Sequence, residues 1–179
     1  MTDYEEKGHS LVRDLLTQVR AGLNVNLYYL SLYVTLTIPD ICGALESNNG
    51  QAQKSKYTSW FDRYIGPQYQ GFLTADDCYS FRNSILHQGS SQPQHPRAST
   101  YSRILFVEPG AYSGTLHSNV LEDALNIDVG IFCDDILTGA ERWLAQVEGT
   151  QPYETNYDRF LKRYQNGLPP YIVGIPVIG

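Results

Sequence analysis

From Val129 onward the apolar and small positions Phe132, Cys133, Ile136, Leu137, Ala140, Trp143, Leu144 and Val147 recur at steps of three and four. That is the helical period, with a stripe broad enough to face a core. Asp128 stands where an N-cap belongs and Gly149 where helices stop. A weaker copy of the pattern runs through Leu11, Val12, Leu15, Leu16 and Val19, bounded by Ser10 and Gly22. Residues 56–65, KYTSWFDRYI, form a short amphipathic helix ended by Gly66-Pro67. The stretch TADDCYSFRNSILHQG, 74–89, opens on Thr74, Asp76 and Asp77, where a cap and negative charge favour a helix start.

The run NVNLYYLSLYVTLTIPDICGALES reads two ways. Leu27, Leu30, Val34, Ile38, Ile41 and Leu45 repeat at helical steps, while Tyr28 to Ile38 also alternate at steps of two. Its length favours a helix, because strands beyond ten residues are uncommon. Pro39 either kinks this helix or starts a second one. Residues 101–120 read as two strands joined through Pro109-Gly110, with a third short strand in ALNI, 124–127. YETNYDRFLKRYQNG, 153–167, reads as a last amphipathic helix. The apolar tail LPPYIVGIPVIG, 168–179, is expected either to pack on its own core or to meet a partner, the first being favoured. The whole predicts one mainly α domain over 1–179, with a β insertion at about 101–127 between the fourth and fifth helices.

Composition narrows the picture. The net charge is −6, so a broad basic surface for long duplexes is not expected. Cys42, Cys78 and Cys133 stand apart among apolar residues without metal-ligand spacing. They read as buried free thiols, as in a reducing compartment. The polar opening MTDYEEKGHS is no signal peptide, and Leu23–Ile38 is too short and polar to span a bilayer. A cytoplasmic protein with no membrane contact is the expectation.

No phosphate loop, dinucleotide fingerprint, zinc-protease motif or nucleophile elbow is present, and neither a cofactor nor a metal is expected. The pairs Asp76-Asp77 and Asp134-Asp135 read as solvated or capping groups. His9, His95 and His117 read as isolated surface residues. The helix at 74–89 is different. On a wheel of about 100° per residue, Arg82 falls inside the apolar arc of Cys78, Phe81 and Ile85, and His87 falls about 140° away. A guanidinium on an apolar face needs a carboxylate, a phosphate or an interface. The plainest reading pairs Arg82 with an internal Asp or Glu and leaves His87 exposed. Arg82 and His87 share one site only if the helix frays before Gln88-Gly89 or a second copy lies alongside.

The segment RNSILH has Arg82, polar Asn83, three further residues and His87. In this it resembles the HEPN superfamily, whose catalytic members carry that order. IPDICGALES, YTSWFDRYI, DCYSFRNSILHQGSS and IFCDDILTGAERWL together resemble uncharacterised bacterial HEPN-like proteins, from about residue 26 to 148. The resemblance implies a HEPN-like helical bundle with a small β-hairpin insertion. It implies a homodimer through the motif helix, and metal-independent RNA cleavage by 2′-hydroxyl attack. In that chemistry His87 would serve as base or acid. Arg82 would hold the phosphate and its developing charge, and Asn83 would orient either one. A toxin or defence component with an antitoxin-type protein partner fits this reading. The alternative is a non-catalytic HEPN-like module that binds nucleotide, RNA or protein.

Overall fold

The computed structural model describes residues 11–93, 99–110 and 114–179. Among these the chain is mainly α, with seven helices: α1 (Leu11–Asn24), α2 (Tyr28–Leu45), α3 (Lys54–Tyr64), α4 (Gly66–Tyr69), α5 (Ala75–Gln88), α6 (Val129–Val147) and α7 (Gln151–Tyr157). A three-stranded sheet, β1 (Arg103–Val107), β2 (Asn119–Leu121) and β3 (Ala124–Asp128), lies between α5 and α6. Four two-residue strands follow α7: β4 (Arg163–Tyr164), β5 (Gly167–Leu168), β6 (Ile172–Val173) and β7 (Val177–Ile178).

The ambiguous run is a helix, and α2 continues through Pro39 without a break. It is the hub of the fold, packed against α1, α3 and α6. Its apolar residues lie all round, so periodicity alone does not select the inward face. Ser31, Leu32, Thr35, Leu36 and Ile38 are buried, while the expected stripe residues Leu27 and Leu30 are exposed. Neighbours on one side made the choice. α6 behaves as its pattern predicts: Asp128 caps it by accepting from the Ile131 amide at 3.0 Å, and its stripe from Phe132 to Leu144 is buried. Trp60, Phe61, Phe81, Phe132 and Trp143 fill the core. At Gly139 the packing is close: a Cβ there would press on Ile65 Cδ1 and require that side chain to shift.

Three expectations need correction. β1 and β2 do not form a hairpin through Pro109-Gly110. Both pair with β3, β1 in parallel and β2 antiparallel, so the order is β1-β3-β2. β3 is buried at every position, and a strand covered on all sides takes the centre of a sheet. The tight turn is instead Glu122-Asp123, between β2 and β3, with Glu122 in the left-handed region. The last helix ends at Tyr157 rather than running to Gly167; Tyr153 and Asn156 of α7 are buried and Phe160 just beyond it still packs on the core, but the residues after Phe160 are mostly exposed. The chain pairs with itself instead. β4 joins β7 and β5 joins β6 in one antiparallel ribbon. The tail does not pack on the core: Tyr171, Ile172, Val173, Ile175 and Ile178 are all exposed.

Two buried polar side chains tie segments together at the seams. Asn156, buried on α7, donates from Nδ2 to the carbonyls of Leu45 (3.0 Å) and Ser47 (2.5 Å), closing the C-terminus of α2. Asp77 is no solvated acid. It is buried, and accepts from Ser99 Oγ at 3.1 Å and the Thr100 amide at 2.9 Å, tying the chain before β1 back to α5. Asp76 is exposed and pairs with Lys54 at 2.7 Å.

Candidate functional site around Arg82, Asn83 and His87

α5 starts where Thr74 accepts from the Asp77 amide at 3.1 Å. It ends at Gly89, whose φ of +63° lies in the left-handed region that glycine enters without strain. The Gly89 amide reaches the Ile85 carbonyl at 3.0 Å and the Ser90 amide the Ser84 carbonyl at 3.2 Å. This is a glycine-capped helix end in which the Ser84 and Ile85 carbonyls are satisfied. In this conformation α5 stays helical through Gln88 and does not bring His87 to Arg82.

Arg82 forms an ion pair with Asp40 of α2, and both side chains are largely withdrawn from water, 17% and 11% exposed. Its Nη1 donates to Asn83 Oδ1 at 2.7 Å. Its guanidinium carbon stands 5.8 Å from the centre of the Tyr79 ring, a cation–π contact. Nε is buried with no hydrogen-bond partner among the described residues. Asp40 supplies the internal carboxylate that the apolar placement of Arg82 called for. Burial raises the Asp40 carboxyl above the usual carboxylate range, and the Arg82 charge opposes that rise. Protonation of Asp40 would weaken its hold and free the guanidinium for another anion.

His87 is exposed in the last turn of α5 and makes no hydrogen bond or ion pair among the described residues. One chain thus joins Arg82 to Asn83 but leaves His87 apart. Two residues of the arrangement escaped the sequence reading, Asp40 and Tyr79. A signal existed for Asp40: it is an acid set in an apolar run, IPDICGAL, and an acid so placed needs a cation.

An apolar cleft of about 330 Å³ opens beside the end of α5, lined by Tyr33, Ile85, Gly89, Ser90, Ser91 and Phe106 among others. A wider and more open cleft of about 600 Å³, lined by Glu46, Ser47, Lys56, Arg63 and Thr150, holds none of the three motif residues. The described residues contain no cluster of His, Cys, Asp and Glu that could hold a metal ion, and none of their helices is long and apolar enough to cross a membrane. The three thiols are buried. Burial pushes Cys78 up to about 12 and Cys133 up to about 11, so both stay protonated and unreactive at neutral pH.

His9 and His95 lie outside the described residues. His117 is not an isolated surface residue. It is half-buried with its ring 5.4 Å from that of Tyr69, and Tyr69 donates to Asp135 Oδ2 at 3.0 Å. Burial lowers the His117 pKa and raises that of Asp135. A carboxyl with a raised folded pKa binds its proton more tightly folded than unfolded. Its stabilising effect is full below the unfolded value, about 3.9, and is lost as pH rises through the folded value. Asp135→Asn is therefore expected to stabilise the protein at pH 7 and to gain little at pH 4, as read by urea midpoints. A larger gain at pH 4 would contradict this.

No protein-family model matches the chain, and neither a curated protein nor a solved structure does.

Proposed function

We propose that this chain is a HEPN-like, metal-independent endoribonuclease whose site is completed by a second copy. One observation carries the reading. An exposed His87 lies in the last turn of a helix capped at Gly89, about one turn beyond an Arg82 held between Asp40, Asn83 and Tyr79. Cleavage by 2′-hydroxyl attack needs a base, an acid for the leaving oxygen and positive charge at the phosphorane. Two copies would supply two imidazoles and two guanidinium groups. The products would be a 2′,3′-cyclic phosphate and a 5′-hydroxyl. The biological setting that fits such an activity is a toxin or defence component held by an antitoxin-type protein.

The ion pair itself favours a second reading, a non-catalytic HEPN-like binding module. In that case Arg82 neutralises Asp40 and serves the fold. Fluorescence anisotropy with a labelled single-stranded RNA, followed by a denaturing gel of the same sample, separates the two. RNA bound and cut supports the nuclease, and RNA bound but intact supports the module.

A further inference from the structure

Two apolar surfaces are left exposed among the described residues. One is the ribbon β4–β7. It carries no charged side chain from Gln165 to Gly179, and at its bend Tyr171 is 81% exposed. A two-stranded ribbon is marginal alone in water, and this one shows apolar side chains where exposed strands are normally blunted by charge. The other is the N-terminal half of α2, where Tyr29 is 80% exposed beside Val25, Leu27 and Leu30. It flanks the cleft of about 330 Å³, whose lining includes Leu32, Ile85, Ile104, Phe106 and Val129.

We infer that the ribbon is an arm exchanged between two copies of this chain, Tyr171 of each entering the α2–α5–β1 cleft of the other. Area favours a second copy. The arm exposes six large apolar side chains, from Leu161 to Ile178, and the α2 face five, from Val25 to Tyr33. At roughly 70 Å² each these amount to on the order of 800 Å² per copy, the share of a stable dimer interface. The two surfaces are present in equal number, so reciprocal exchange covers both and closes as a two-fold dimer with nothing left over. Side-chain docking suits the arm better than strand addition, because Pro169, Pro170 and Pro176 remove backbone donors. Tyrosine suits the cleft, being a rigid anchor with a polar tip, and Glu108 in the cleft lining offers an acceptor for its hydroxyl. The exchange also places the arm against Gly89-Ser90-Ser91, just beyond His87. The inference goes beyond the nuclease reading and survives its failure, since association is read by mass and cleavage by RNA.

The test is sedimentation velocity on the full chain, on Tyr171→Ala and on Tyr29→Glu. Both positions are exposed, and circular dichroism checks that the fold persists. The wild type should be a dimer at micromolar concentration, with each variant at least tenfold weaker in self-association. Mixing the two variants should restore dimer, because one intact arm then meets one intact cleft. A monomeric wild type, a dimer indifferent to either change, or a mixture no better than its components would overturn the proposal.

Discussion

Replacing Arg82 by Met is expected to destabilise the fold by about 3 kcal/mol, because it leaves the Asp40 carboxylate withdrawn from water without its partner. Asp40→Leu strands the guanidinium and should cost a similar amount. The double replacement Asp40→Leu/Arg82→Met removes both charges and should cost far less than the sum, with a coupling of about 1–3 kcal/mol. The Arg82→Met penalty should also shrink toward acid pH. Asp40 has a raised pKa when folded, so it protonates early and no longer leaves a bare charge. Urea unfolding of the four proteins at pH 5 and pH 7 measures all of this. Strict additivity, or a penalty that grows on acidification, would contradict the assignment. The result bears on catalysis as well. Loss of activity in an Arg82 variant can reflect a damaged fold, so the double variant is the proper reference for testing whether Arg82 has a part in the proposed RNA cleavage.

His87 gives the opposite combination. Its side chain is exposed and unbonded among the described residues, so His87→Ala should change stability by less than about 0.5 kcal/mol. If it moves a proton in the reaction, the same change should slow RNA cleavage by about 10²–10⁴-fold. Single-turnover cleavage and a thermal melt on the same preparation provide both values. A variant that melts like the wild type and cleaves like it would remove His87 from the site. Asn83→Ala is the informative companion, since it frees Arg82 Nη1 without touching the Asp40 pair.

The parts of this fold that were legible in the sequence are those set by local chemistry. Thr74 and Asp128 cap the helices they precede, Gly89 closes α5, and the stripe on α6 is buried. Partner choice was less legible. α2 is apolar on every side, so only its neighbours α1, α3 and α6 decide that Ser31 and Thr35 go inward while Tyr29 and Leu30 stay out. β3 shows an apolar core but no sign of which strands will flank it. The segment after Tyr157 keeps helical spacing, but beyond Phe160 it is mostly exposed, and cross-strand pairing of Arg163 and Tyr164 with Ile178 and Val177 takes over. At the candidate site the wheel demanded a counter-charge for Arg82, and Asp40 provides it. That demand was legible; the address of the partner, on another helix, was set by tertiary packing. The separation of His87 from Arg82 was legible too, and the closed end of α5 sharpened it.

The central proposal is that this chain cuts RNA without a metal. The most direct measurement is the end chemistry of RNA incubated with the purified wild type in excess EDTA. Fragments with 2′,3′-cyclic phosphate and 5′-hydroxyl ends, absent with His87→Ala, are the predicted result. Intact RNA, or fragments with 3′-hydroxyl ends that vanish on chelation, would contradict it.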